Sequence, residues 1–367
     1  VWFLASKEIL NAKSRYALLT GLVALIAFLV FVMTGLASGL GNASVSGLRT
    51  LTDEATLVAY APSVQRSLGR SDIDAGLAPA AARSPEVAAA PVGQSMVNLR
   101  TGAGATVTVA LVGVPEDPRF VPADRVPGPD EVLLDHGLAG EHEVGEQLVV
   151  QPGGRTLTVA GFADLGSLQH TPVAYTPLPT WQRVRHAPFA AADAPAPNRA
   201  SALLITTAGG VDPSTARAEL TRHADLDVVT SDEAVAASPG YQEETGTISL
   251  IRGLLLAIAA LLVGTVFWIL TLQKEGSLAV LRAAGARPAL LLGTYLLQVT
   301  ATTAVGIGAG VAAARLAAIA MPTTAYLLTT TDVVVAAVAL TVLALGASAA
   351  SIRRLVGVDP ILSLGRI

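Results

Sequence analysis

The sequence has no cysteine. That excludes disulfides, thiolate metal sites, a cysteine nucleophile and a lipoprotein anchor. Lysine is nearly as scarce, with only Lys7, Lys13 and Lys274 in 367 residues. Charged residues make up 14% of the chain, against about a quarter in an ordinary soluble domain. No Gly-Lys dipeptide occurs anywhere, so the chain has no phosphate-binding loop of its own. The HExxH helix and the GxSxG elbow are missing too. The five histidines, His136, His142, His170, His186 and His223, show no metal-ligand spacing, and surface positions are expected for them. No long apolar stretch carries an ionisable residue at its centre, where proton relays and ion-coupled transporters usually have one. Catalysis is therefore not expected, and energy for any transport has to come from elsewhere.

What remains is largely apolar: 52% of residues, with a mean hydropathy of +0.56. Four stretches are long enough to cross a bilayer core, which takes about 20 helical residues. They are 16–41, 248–273, 288–315 and 332–352. The first is too long for the apolar part of a cleaved signal peptide, although basic residues precede it. Between the first and second stretches lie 13 arginines, no lysine and 24 acidic residues in 42–247, a balance of −11, while the other segments together carry +7. An acidic domain of this kind is no nucleic-acid binder. By the positive-inside rule, Lys7, Lys13 and Arg15, then Lys274, Arg282 and Arg287, then Arg353, Arg354 and Arg366 mark the cytoplasmic side. Both termini and the 274–287 segment are then cytoplasmic, 316–331 is an outer loop, and 42–247 faces outwards. Residues 1–15 read as a short amphipathic helix on the inner surface, and 353–367 as a cytoplasmic tail.

The outer segment reads as an α+β domain. Strands are expected at 56–61, 95–100, 106–114, 146–151, 155–163, 172–175, 202–207 and 225–230, and helices at 73–82, 130–139 and 213–223. Gln151-Pro-Gly-Gly-Arg155 is a hairpin turn signal. Asp212 suits a helix cap and Pro213 a first helical turn, which makes 202–230 a strand–helix–strand unit. The Ala- and Pro-rich stretch 187–199 is expected to be a loop. Gly306-Ile-Gly308-Ala-Gly310 superficially matches a dinucleotide loop, but within an apolar helix its small residues serve close helix packing. Gly35 and Gly39 carry the same spacing in the first span.

One span, a large outer domain and three further spans resemble the plan of the FtsX-like, MacB-type ABC transporter permeases. Thr271-Leu-Gln-Lys-Glu-Gly-Ser-Leu-Ala-Val-Leu-Arg-Ala-Ala-Gly-Ala-Arg287 is similar to their cytoplasmic coupling segment, and Val358-Asp-Pro-Ile-Leu-Ser-Leu-Gly-Arg366 to their ending. A narrower resemblance is to haem exporter permeases of the HrtB kind. It rests on Thr34-Gly-Leu-Ala-Ser-Gly-Leu-Gly-Asn-Ala-Ser-Val-Ser46, Thr171-Pro-Val-Ala-Tyr-Thr-Pro177, Ser238-Pro-Gly-Tyr-Gln-Glu-Glu244 and Thr271-Leu-Gln-Lys274.

The resemblance implies a membrane α-helical fold with four transmembrane helices, in the cell membrane with lipid around it. It implies a homodimer working with two copies of a separate ATPase subunit, which alone would bind ATP and magnesium. Leu278, Leu281, Arg282, Ala284 and Arg287 would couple the spans to that subunit. The cargo is expected to be hydrophobic or amphiphilic, with haem first; no cofactor is expected to be covalently held. Haem iron takes His, Cys, Met or Tyr ligands, which makes Met33, Tyr175 and Tyr241 candidates beside the acidic Glu243 and Glu244. Arg49 or Arg252 would pair with the propionates. Efflux of antimicrobial peptides, macrolides or lipid-like molecules is the alternative cargo, and mechanical signalling to a cell-wall hydrolase the alternative role.

Overall fold

The computed structural model describes residues 13–62, 64–82, 87–121, 125–187, 196–207, 212–273, 288–321 and 326–356. Most of the expected surface helix 1–15, the whole coupling segment 274–287 and the end of the tail from 357 lie outside the described residues. The chain divides into two compact units, Val1–Gly39 with Gly246–Ile367, and Leu40–Thr245.

The first unit is helical. It holds most of α1 (Lys13–Leu51) and α6 (Tyr241–Gln273), with α7 (Pro288–Ala318) and α8 (Thr330–Val356). Among the described residues three helical segments are long and apolar enough to cross a membrane: Tyr16–Leu51, Tyr241–Val266 and Gly293–Ala318. The apolar run in α8, Thr330–Gly346, is shorter. Helix α7 packs on α1 through a row at four-residue spacing. The Tyr16 hydroxyl donates to Gln298 Oε1 at 2.8 Å. A Cβ at Gly306 would fall 2.7 Å from Val23, and one at Gly310 would fall 2.6 Å from Ala27. Because these contacts ascend together along both helices, α1 and α7 run in the same direction. Glycine here lets the two backbones approach, the packing use expected from the sequence.

Further along α1, Leu327 N–H donates to the Gly35 carbonyl at 2.9 Å, and the Ser38 hydroxyl to Asp332 at 3.1 Å. A side chain on Gly35 would overlap the Tyr326 ring, so this glycine packs within its own chain. Thr329 and Asp332 cap α8 reciprocally, each side chain accepting from the other's backbone N–H.

The second unit is the α+β domain. Its main sheet runs β12-β1-β11-β3-β4-β9-β5-β7-β6, with β8 paired to β9 and β6 returning to β3. The strands are β1 (Leu57–Tyr60), β3 (Val87–Arg100), β4 (Thr106–Val114), β5 (Glu131–Asp135), β6 (Gln147–Gln151), β7 (Thr156–Ala163), β8 (Ser167–Leu168), β9 (Thr171–Pro177), β11 (Ala202–Thr207) and β12 (Asp227–Thr230). The pairing β3-β4-β9-β5-β7-β6-β3 closes a six-stranded ring. The long strand β3 belongs to both halves: 87–92 pair with β11 in an open sheet, and 93–100 pair with β4 in the ring.

Each half has its own core, and a third buried cluster beside the end of α1 spans both. Helix α3 (Leu178–His186) drives Trp181 into the ring, where the indole is fully buried against Gly93 and Gly113 and donates to the Ser95 hydroxyl at 3.1 Å. Helix α4 (Pro213–Ala224) covers the open sheet with Ala216 and Leu220. Asp212 accepts from Ser214 N–H at its start, as expected for that cap. Strands β11 and β12 flank β1, both antiparallel to it, so 202–230 is a strand–helix–strand unit with β1 between its strands.

Two expected helices are not formed as read. Residues 130–139 are β5 followed by the 3-10 turn His136–Leu138, because the Val132-Leu-Leu134 run is buried on both faces between β7 and β9. Within 73–82, Ile73–Asp74 is instead a short strand, β2, paired with β10 (Arg199–Ala200). The Asp74 carboxylate then turns the chain by accepting from Gly76 N–H at 2.8 Å, and the short helix α2 (Leu77–Ala81) follows. The helices α3 and α5 (Ser231–Ala236) were not anticipated. Helix α5 is set by a capping box between Thr230 and Glu233.

Candidate functional site

The site residues expected near the second span meet in the second unit, where the end of α1, the β8–β9 turn and the start of α6 come together. The end of α1 is rich in small residues, with Gly41, Ala43, Ser44 and Gly47 all buried, so other backbone can lie directly on it. Gln169 and His170 adopt left-handed φ angles of 49° and 62°. That geometry aims their N–H groups at Ser44 and Ala43 carbonyls, at 3.0 and 3.1 Å. Ser167 adds two bonds, donating its N–H to Ser46 Oγ at 2.9 Å and its hydroxyl to the Ala43 carbonyl at 2.7 Å.

Three polar side chains converge over this contact. The Ser44 hydroxyl donates to Glu244 Oε2. His170 Nε2 lies 3.1 Å from Ser44 Oγ and 3.4 Å from Glu244 Oε1. Beside them, Arg49 Nη2 donates to the Tyr241 hydroxyl at 3.2 Å. Both acidic residues of the first α6 turn, Glu243 and Glu244, suit the positive end of the helix.

Serine, histidine and glutamate together invite comparison with a hydrolytic triad, but the geometry is wrong for one. A relay needs the carboxylate on one ring nitrogen and the hydroxyl on the other. Here both meet Nε2, and Ser44 is only 4% exposed. The group instead fastens α1, the β8–β9 turn and α6 to one another. Among the described residues no three His, Asp or Glu side chains are grouped to hold a metal ion.

Of the expected ligand residues, Tyr241, Glu244 and Arg49 share this site, and Glu243 is exposed next to it. Tyr175 does not join them. It lies on β9 in the domain core, fully buried, its hydroxyl without a partner among the described residues, and burial pushes its pKa up. Met33 and Arg252 belong to the helical unit, both half-buried. Leu278, Leu281, Arg282, Ala284 and Arg287 lie outside the described residues.

Sequence reasoning missed His170 and Ser44. His170 is 126 positions from Ser44, and only the turn geometry brings it there. The one available signal was its place directly before the Thr171–Pro177 segment. Nor are the histidines all superficial: His142 is 7% exposed and bonded through Nδ1 to Glu146 at 3.0 Å.

The profile of the MacB-like periplasmic core domain matches residues 17–223, and that of the FtsX-like permease C-terminal matches residues 249–360. Uncharacterized ABC transporter permeases of Mycobacterium tuberculosis and Mycobacterium bovis are 26% identical over 372 residues, covering 99% of this chain and 99% of theirs. Among solved structures, the extracellular domain of the noncanonic ABC-type transporter YknZ from Gram-positive bacteria is similar with a TM-score of 0.34 and 10% identity. The likeness covers 48% of this chain and 98% of that one.

Proposed function

Since this chain belongs to the family of ABC transporter permeases with a MacB-like periplasmic core and an FtsX-like C-terminal domain, we propose that it extrudes an amphiphilic compound, haem first, from the membrane. Permeases of this family work with a separate ATPase subunit and have no ATPase site of their own. In this reading two copies of the permease stand over two copies of the ATPase in the cell membrane. The chain crosses four times, with α8 as the fourth span, both termini are cytoplasmic, and residues 42–247 face outwards. The shared direction of α1 and α7, with the 326–332 segment level with Gly35–Ser38, supports an even number of crossings after the coupling segment.

The carrying observation is the fastening of α1 to α6. Both helices continue past their apolar stretches into the folded domain, where Ser44 bonds Glu244 and Arg49 bonds Tyr241. An α-helix rises about 1.5 Å per residue, so α1, at 39 residues, far exceeds a hydrocarbon core of about 30 Å. The bonds at Ser44, Glu244, Arg49 and Tyr241 tie the ends of the two helices to each other within the domain. The stroke enters through Leu278, Leu281, Arg282, Ala284 and Arg287. For haem, Glu244 and Tyr241 are the oxygen ligands and Arg49 the propionate partner. Met33 is a separate soft ligand on α1, and Arg252 a second propionate partner on α6.

In cells holding the ATPase subunit, the permease is expected to protect against haemin, and Leu281→Asp with Ala284→Asp to abolish protection at unchanged expression. Purified permease titrated with haemin is expected to shift the Soret band, and Glu244→Ala with Tyr241→Phe to weaken that shift about tenfold. An unshifted band in the wild type removes haem and leaves peptide, macrolide or lipid-like cargo. Normal protection by the Asp pair removes the coupling assignment.

A further inference from the structure

The acidic outer domain contains one cleft of opposite character. It has a volume of about 450 Å³ and lies where the open sheet meets the ring, with the loop after β1 on one side and β3 and α3 on the other. Three arginines line it, Arg66, Arg70 and Arg185, and among the described residues no acidic side chain does. In a segment whose balance is −11, such a concentration of guanidinium groups needs a reason.

The arginines differ in how far they are committed. Arg66 is spent on Asp227, through Nε at 2.9 Å and Nη2 at 3.4 Å. Arg70 is exposed, and its Nη1 bonds the neutral Gln65 at 2.9 Å. Arg185 is the most telling. Its guanidinium lies over the Trp181 indole, 5.2 Å from the ring centroid, which fixes its position. Its Nη2 makes a long ion pair with Asp72 at 3.7 Å, and it shares that carboxylate with Arg199, which bonds it at 2.7 Å. Nη1 of Arg185 is buried with no hydrogen-bond partner among the described residues. A buried charged donor left unmade is costly, and here it is held beside a cleft.

The loop carrying Arg66 and Arg70 is also held in an unusual form. Gln65 and Arg66 both take φ of 54°, a left-handed conformation that non-glycine residues adopt rarely and that gathers at ligand clamps. Gly69 lets this loop close on Gln94, since a Cβ there would fall 2.9 Å from Gln94 Oε1. The rest of the lining is mixed: Ser67, Gln94 and Gln169 are polar, while Leu48, Leu168 and Met96, the last 42% exposed on a strand, are apolar.

We propose that this cleft binds an amphiphilic oxyanion. Arg185 and Arg70 take a carboxylate or phosphate head by charge-assisted hydrogen bonds, and Met96, Leu168 and Leu48 cover the apolar body. The volume falls within the range of about 300–1,000 Å³ usual for small-molecule pockets. The site rests on the export reading only in taking this ligand as cargo received by the outer domain, and binding is measured without any ATPase subunit, so the two fail separately.

The test uses the full chain in nanodiscs of zwitterionic lipid and a fluorescent dodecanoate read by anisotropy. The wild type is expected to bind it, and a matched dodecyl trimethylammonium probe is expected not to compete. Arg185→Gln and Arg70→Gln together are expected to weaken binding at least tenfold, while Arg119→Gln, outside the cleft, leaves it unchanged. Because Arg185 also packs on Trp181, Arg70→Glu alone, on the exposed loop, is the second variant and is expected to weaken binding about tenfold. Displacement at lower concentration by dioctanoyl phosphatidylglycerol than by dodecanoate assigns the head to a lipid phosphate; the reverse assigns it to a free carboxylate. Equal binding by the double variant and the wild type, unchanged binding by Arg70→Glu, or equal competition by the cation overturns the proposal.

Discussion

The helical unit and the outer domain use the same residue, glycine, for opposite purposes. In the helices, Gly306 and Gly310 remove side chains so that two backbones approach. Lipid tails are as apolar as leucine, so helices in a membrane gain little from burying leucine against leucine and rely on close fit and on polar pairs such as Tyr16–Gln298. In the outer domain, Gly93 and Gly113 sit opposite each other across β3 and β4, and the space they leave is filled by one large ring. There water supplies the driving force, and a buried indole is worth more than backbone contact. The polar groups divide in the same way: neutral pairs and one capped aspartate in the described part of the bundle, arginine–carboxylate pairs on the outer domain.

The sharpest way to break this contrast is at Trp181. Trp181→Ala empties the ring core, and aromatic-to-alanine changes of this kind cost about 3–5 kcal/mol. Filling the opposite side is expected to hurt as well. A Cβ on Gly113 would fall 2.6 Å from the Trp181 Cβ, so Gly113→Ala should cost about 1–3 kcal/mol by overpacking. Denaturant unfolding of the purified chain, followed by circular dichroism, measures both. A Trp181→Ala midpoint matching the wild type would mean that the ring does not depend on its indole.

The bundle offers a test with a built-in control. Gly306, Gly308 and Gly310 belong to one short motif, yet a Cβ on Gly308 meets nothing within 4 Å, whereas one on Gly310 strikes α1. Gly310→Leu is expected to force α7 from α1 and cost about 1–3 kcal/mol. Gly308→Leu is expected to change stability by less than about 0.5 kcal/mol, as for an open surface position. Thermal unfolding in detergent reads the difference, and equal losses for the two variants would remove the assigned packing face.

These two regions were not equally legible in the sequence. The apolar helices announce themselves, because a charge-free run of about 20 apolar residues fits little besides a membrane span. The motif at 306–310 was readable as packing because of where it lies. In the outer domain, turn chemistry was a good guide: the Pro-Gly-Gly hairpin at 151–155 and the Asp212-Pro213 helix start both form. The Val-Leu-Leu run at 132–134 misled, since a short apolar run fits a buried strand as well as a helix and only its neighbours decide. For the candidate site, Tyr241 and Glu244 were readable beside the second span. His170 was not, because a partner 126 positions from Ser44 is brought in by a turn whose left-handed residues carry no obvious sequence mark. Tyr175 lies apart for the opposite reason: its segment was singled out, but β9 places that ring in the core.

The smallest expected effect concerns the ion pairs of the outer domain, and it has a definite sign. Burial alone pushes the Asp72 carboxyl up, but the hydrogen bond from Arg199 and the charges of Arg199, Arg185 and His186 outweigh it and hold the group below its ordinary value. A depressed carboxyl stabilises the fold fully above its unfolded pKa of about 3.9 and loses that contribution as pH falls through the lower folded value. Asp72 is 42% exposed, so solvent screening reduces the benefit to about 0.2–1 kcal/mol, the range of surface pairs. Asp72→Asn should therefore unfold slightly earlier than the wild type at pH 7 and pH 5, with the gap closing below about pH 4. A gap that widens on acidification would reverse the sign and show that burial, not Arg199, governs this carboxyl. A gap well above about 1 kcal/mol at pH 7 would mean that the outer domain leans on its ion pairs more heavily than its three apolar clusters imply.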